Sequence, residues 1–151
     1  MSAKVFISYS HKDETYKENL EEHLSSLRRN NVIEAWHDRK IMPGQKWKDE
    51  IDSNLSEADI ILFLVSSSFI NSDYSQDIEV KTAVKQHEEG KSILIPIVVR
   101  ACDWKDMCFS GFQGLPKDAK AVKSWPDEDE AWLDVVKGIK NAVEEIAKKK
   151  L

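Results

Sequence analysis

Cysteine is almost missing: Cys102 and Cys108 are the two in 151 residues, both in a stretch that reads as loop. They build no disulfide framework and complete no zinc-type spacing with a His, so both read as reduced and uninvolved. Long hydrophobic runs are lacking too. Met1-Ser2-Ala3-Lys4 leads straight into an apolar stretch of about five residues, far short of a signal peptide or the roughly 20 residues that cross a bilayer. We expect no membrane partner and a cytoplasmic location. Nor is there excess positive charge. A net charge of -5 gives no general attraction for nucleic acid or an anionic surface, so an anionic ligand has to be held locally. Internal repeats and low-complexity linkers are absent as well.

What remains is the composition of one folded domain: 41% hydrophobic, 32% charged, five Trp, in a length that supports one core. The domain is taken as residues 1–151. Lys148-Lys149-Lys150-Leu151 stops as a helix is ending, which fits either a natural end or a cut that isolates one domain from a longer chain.

Short β-rich runs alternate with amphipathic ones, the signature of βαβ units and a parallel sheet. Val5 to Ser8 is the first strand. Tyr16, Leu20, Leu24 and Leu27 recur at helical spacing in the first helix. Val32 to Trp36 reads as a second strand, the polar loop His37 to Gly44 follows, and Trp47, Ile51 and Leu55 mark the second helix. The unbroken run up to Val65 from Asp59 predicts a central strand buried on both faces. Ser66 to Ser72 reads as a small-residue loop, and Asp73 with Gln76 resembles a capping box for a helix carrying Val80, Val84 and His87. After Gly90, Ile93 to Val99 is another strand, and Pro96 puts it near the sheet edge. Arg100 to Trp125 has little periodicity, with room for a short fifth strand around Ala121-Val122. Asp127 with Glu130 caps a last helix whose Trp132, Val136, Ile139 and Val143 face inward.

The predicted architecture is α/β: a flavodoxin-like three-layer sandwich with a five-stranded parallel sheet, order 2-1-3-4-5, and helices on both faces. In such a sheet ligands sit beyond the carboxyl ends of the strands, at the switch point between strands one and three. That rule selects Ser8 to Asp13, His37 to Gly44, and Ser66 to Tyr74 with the next helix turn. These segments hold Tyr9, Asp38, Ser67, Tyr74 and, just inside the helix, Glu79.

Several chemistries are excluded. No G-x-G-x-x-G follows strand one and no P-loop is present, so the usual backbone cradles for dinucleotides and triphosphates are missing. Ser8-Tyr9-Ser10 and Ser66 stand where a phospho-acceptor receiver would need acids. His11, His23, His37 and His87 show neither H-E-x-x-H spacing nor pairing with a nucleophile elbow. No metal site is indicated.

Val5-Phe6-Ile7-Ser8-Tyr9-Ser10-His11-Lys12-Asp13 resembles the opening box of the TIR (Toll/interleukin-1 receptor) domain family. Trp36 to Trp47 is similar to its second box, Asp59 to Ser68 with Phe69 and Tyr74 to its third-strand region, and Ser124-Trp125-Pro126 with Trp132 to its C-terminal part. The resemblance spans essentially the whole chain. It implies a self-associating domain and, as in many bacterial members, an enzyme that cleaves NAD+ at the nicotinamide-ribose bond to ADP-ribose or a cyclic form. The family's catalytic Glu falls on Glu79, although its frequent aromatic-Cys pair appears here as Tyr74-Ser75, and Asp77 offers a second carboxylate two positions before it. Tyr9 or Trp47 could stack on a substrate ring, Ser8, Ser10 and Ser67 could hold phosphates and hydroxyls, and Asp38 could accept from ribose. Each has a plainer reading: Glu79 as a solvated partner of Lys81 and Lys85, Tyr9 packed over the sheet end, Trp47 in the core with Ile51 and Leu55, Asp38 bonded to its own loop.

The implied function is a TIR-domain NAD+ glycohydrolase, possible cyclase activity included, switched on by assembly in bacterial immunity or antiviral defence. Its partners would be NAD+ as substrate with no cofactor, other TIR domains, and a sensor domain or partner protein. Two alternatives stand beside it: a non-enzymatic scaffold joining TIR domains through the Asp38 to Gly44 loop, and a module that senses NAD+ or a product without turnover.

Overall fold

The computed structural model of the chain describes residues 2–149, the side chains of residues 73–77 excepted. Four parallel strands, β1 (Ala3–Ser8), β2 (Ile33–Trp36), β3 (Ile60–Val65) and β4 (Ile93–Val98), lie in the order β2-β1-β3-β4. Every residue of β3 is buried, because the strand pairs on both edges and is covered on both faces. Val5 pairs with Ile60 on one edge and Ile60 with Ile93 on the other. Alternation then divides β3 between two cores. Ile60, Leu62 and Leu64 pack with Leu20, Leu24, Trp132 and Ile139, while Ile61, Phe63 and Val65 pack with Ile51, Leu55, Phe69 and Val80. Each such side chain contributes roughly 1.5–3 kcal/mol.

The helices are α1 (Glu14–His23), α2 (Ser25–Arg29), α3 (Trp47–Glu57), α4 (Ser67–Asn71), α5 (Asp73–Glu88) and α6 (Glu128–Lys149). The predicted first helix is thus two. At the junction Ser25 Oγ donates to Glu22 O at 2.6 Å, the kind of local side-chain bond that competes with a helix ladder. Leu24 nevertheless stays fully buried. The predicted Ser66–Ser72 loop holds the short helix α4. Ser66 Oγ accepts from Phe69 N at 3.0 Å as its N-cap, and Phe69 drives its ring against Phe63, centroids 5.3 Å apart. Small residues around one aromatic hid this turn.

Pro96 sits without penalty in β4. Its carbonyl accepts from Leu115 N at 2.9 Å, so its nitrogen also points away from β3 and no bond to β3 is lost. Ala121-Val122 do not form the fifth strand. Val122 begins a 3-10 turn, Val122–Ser124, and the place beside β4 is taken by Leu115 through a single parallel bridge to Ile97. Pairing stops there: the Lys117 amide donates to Asp134 on α6 at 2.6 Å, and Lys117 opens a 3-10 turn, Lys117–Ala119. Gly138 of α6 makes room for this crossing, since a Cβ there would meet Leu115 Cδ1 at 2.5 Å. At the start of α6, Asp127 Oδ1 accepts from Asp129 N at 2.9 Å, and Trp132, Val136 and Ile139 are buried as the periodicity predicts.

Candidate functional site

A cleft of about 320 Å³, open solvent included, lies at the carboxyl ends of β1 and β2. Phe6, Ile7, Ser8, Tyr9, Asp38, Trp47 and Glu79 line it. The topology explains the meeting: β1 ends at Ser8, the loop after β2 brings Asp38, and the second turn of α5 brings Glu79 across from β3.

Ser8 Oγ donates to Glu79 Oε2 at 2.8 Å. Burial pushes the Glu79 carboxyl up to about 7, the Ser8 hydrogen bond pulls it back, and the carboxylates of Asp38 and Asp52 push it further up. Glu79 is therefore not the solvated salt-bridge residue of the plainer reading. A partly desolvated carboxyl in a cleft is a candidate base or charge stabiliser.

Asp38 is turned toward His11, whose Nε2 lies 3.0 and 2.8 Å from its two oxygens. A carboxylate only accepts, so Nε2–H donates. Tyr9 OH donates to Glu14 Oε2 at 3.0 Å. Burial and that acceptor hold the phenol well above its usual range. Lys17 sits 5.8 Å from the Tyr9 ring centre, buried between Glu14 at 3.2 Å and Glu21 at 2.9 Å, and Glu21 also lies 3.4 Å from Nε2 of buried His37. Burial pushes His37 below its ordinary value against the pull of Glu21. This chain of charges ties α1 to both loops bearing Tyr9 and Asp38.

Trp47 is 45% exposed at the start of α3, while Ile51 and Leu55 are buried, so the core reading fails for the Trp alone. Ser10 and Ser67 are not brought to the cleft. Ser10 Oγ accepts from Lys12 N at 3.3 Å, closing its own turn, and Ser67 is exposed at the first turn of α4. Tyr74, with Asp73, Gln76 and Asp77, lies outside the described side chains.

One arrangement near the site left no trace in the sequence. Asp13, 1% exposed, accepts from Arg100 Nε at 2.9 Å and from Ser66 Oγ, while Arg100 also donates to Ser68 Oγ at 2.8 Å. These bonds fasten the loops after β1, β3 and β4 beside the cleft. Residues 87 positions apart carry no spacing signal. Among the described residues no cluster of His, Cys, Asp or Glu could hold a metal, and no helix is long and apolar enough to cross a membrane.

A parallel, helix-covered sheet with a carboxylate cleft at its switch point defines a small flavodoxin-like α/β domain. The TIR domain family model matches residues 5–144, and the chain belongs to that family. It is 48% identical over 138 residues to the uncharacterized protein y4lF of Sinorhizobium fredii, covering 91% of this chain and 43% of that protein. It is 28% identical over 93 residues to the 2' cyclic ADP-D-ribose synthase BtTIR of Bacteroides thetaiotaomicron, covering 61% of this chain and 31% of that protein. The chain thus spans less than half the length of either relative. Among solved structures it resembles the TIR domains of the activated Roq1 resistosome, with TM-score 0.67 and 14% identity over 91% of this chain and 99% of that one. It also resembles the RPS4 and RRS1 TIR domain heterodimer, with TM-score 0.59 and 11% identity over 94% and 98%. At those identities the likeness is of fold.

Proposed function

We propose that this TIR domain cleaves NAD+ at the nicotinamide-ribose bond, releasing nicotinamide and ADP-ribose or a cyclic form of it. The observation that carries the reading is Glu79: a carboxyl held by Ser8 at the wall of a cleft, beside Asp38 and an exposed Trp47. The cyclic ADP-ribose synthase named for the Bacteroides relative supports it.

The chemistry asks for one such group. As the C1′–N bond breaks, both electrons pass to the pyridinium nitrogen, so nicotinamide leaves neutral and needs no acid. Positive charge gathers on the ribose, as in other glycoside cleavages. The Glu79 carboxylate stabilises it and can take the proton of the attacking water; a hydroxyl of the ADP-ribose attacking instead gives the cyclic product. A cationic nicotinamide beside Glu79 favours its ionised form, against the effect of burial. Trp47 offers its exposed ring to a base or to nicotinamide, and Asp38 accepts from a ribose hydroxyl.

We further propose that copies of the domain assemble, in keeping with the heterodimer and the resistosome in which its structural neighbours are found. Exposed Met42 in the loop after β2 and Leu133 on α6 are apolar surface available for contact. The role is in bacterial immunity, with a sensor domain or partner protein gathering the copies in the cytoplasm.

The test is nicotinamide release from NAD+ at high protein concentration, with and without a crowding agent, for the native chain and folded Glu79→Ala. Turnover in the first and not the second supports the enzyme. No turnover in either, with assembly shown by light scattering, turns the reading to a scaffold.

A further inference from the structure

His11 is the single described side chain that grips both oxygens of a cleft carboxylate from outside the cleft. It stands in the loop after β1, Asp38 in the loop after β2, 27 positions on. Asp38 is the first residue of a 3-10 turn, Asp38–Lys40, whose cap residue His37 gives no side-chain hydrogen bond to it. Its backbone closes on itself, Lys40 N donating to His37 O at 3.0 Å and Ile41 N to Asp38 O at 3.2 Å, so the direction of its side chains is set by what they bond. On the far side Lys40 Nζ donates to Ala35 O and Arg39 Nε lies 3.4 Å from Glu14 Oε2. On the cleft side the grip is His11.

The position of His11 is itself set. Its ring packs on Tyr9, centroids 5.6 Å apart, and Tyr9 is tied through its hydroxyl to Glu14. Ser10 Oγ accepts from Lys12 N and so closes the 3-10 turn His11–Asp13, which is anchored below by buried Asp13. A ring on a fixed turn, with both Asp38 oxygens within 3.0 Å, allows the carboxylate little rotation.

We propose that His11 is a positioning residue of the cleft: by holding Asp38 through both carboxylate oxygens, it fixes where Asp38 meets a substrate hydroxyl. This rests on the NAD+ reading for the identity of that hydroxyl, not for the coupling itself. His11 acts through Asp38 and touches no reacting atom. Glu79 is faced by Ser8 from β1, Asp38 from the loop after β2 and Asp52 from α3, so the place of Asp38 also bears on the carboxyl opposite. Loss of His11 leaves Asp38 free to turn to solvent, and a ribose then has to order it on binding.

A double-mutant cycle on NAD+ binding tests this, by calorimetry in the Glu79→Gln chain, so that turnover does not interfere. His11→Ala and Asp38→Asn each weaken binding on the order of tenfold, the double variant is no weaker than the worse single one, and His11→Gln, which keeps a donor, recovers most of the loss. Melting temperature moves little in all of them. Additive losses near a hundredfold, or no loss in His11→Ala, overturn the proposal. If NAD+ neither binds nor is cleaved, the functional reading falls by itself. The coupling is then decided by carbon NMR of the aspartate-labelled chain. His11→Ala must shift the Asp38 carboxyl resonance, and an unmoved resonance overturns the positioning role.

Discussion

Ser8 Oγ and Glu79 Oε2 stand 2.8 Å apart, one closing the first strand of the sheet and the other 71 residues along in a helix. The bond opposes burial, which alone would hold the Glu79 carboxyl still higher than about 7. Ser8→Ala removes that opposition. The rise of kcat/KM for NAD+ with pH, expected near 7 for a carboxyl that works ionised, then moves to higher pH. A profile unchanged in Ser8→Ala would sink this account of the bond.

Glu79 also costs stability where it is charged. Its folded value, about 7, exceeds the ordinary 4.5, so the native state holds a proton that the unfolded chain releases, and stability falls as pH rises through that window. The cost above the window is at most about 3 kcal/mol. Glu79→Gln is therefore expected to melt higher than the native chain at pH 8 and no higher at pH 4. Scanning calorimetry at both pH values decides it, and it also separates a poised carboxyl from a solvated one. Turnover in the same variant should drop by about 10²–10⁴-fold.

Trp47 predicts a binding effect with little stability cost. Because the ring is 45% exposed and lines the cleft, Trp47→Ala should raise KM for NAD+ by about tenfold, the scale of one base stacked on an aromatic ring, and shift the melting temperature little. Ser67→Ala, exposed and away from the cleft, should change neither. A Trp47→Ala chain with native KM would return Trp47 to packing.

Asp13 predicts the reverse. Removing a buried carboxylate that accepts from Arg100 and Ser66 leaves both donors without it, so Asp13→Ala should cost about 3 kcal/mol in urea unfolding. Arg100→Ala should cost at least as much as it strands Asp13, which is 1% exposed, whereas the Arg is partly solvated. Losses under 1 kcal/mol in both would show that other contacts fasten the three loops.

The strands were readable because hydrophobic order is a local signal. Six apolar residues without interruption require two covered faces, and the structure buries all six of Ile60–Val65. Pro96 marked the edge for an equally local reason, its missing donor. Where the reading failed, a contact distant in sequence had decided the outcome. Leu115 took the place expected for Ala121-Val122, because Asp134 claims the Lys117 amide and Gly138 admits the Leu115 side chain. Trp47 shares the helical spacing of Ile51 and Leu55 yet stands in the cleft, because the sheet it would cover ends beside it.

The sequence by itself determined the strands, the helices and the loops between them, since periodicity and turn residues are properties of short segments, while the family and the strand order came from the resemblance of its motifs. Tertiary structure alone decided the chemistry of the cleft. Whether Glu79 is a solvated helix residue or a desolvated acid depends on Ser8, Asp38 and Asp52 standing around it. Whether Asp38 bonds its own loop or His11 depends on how two loops meet. Dielectric surroundings and charge neighbours are set by distance in space, and a linear order of residues does not carry that distance.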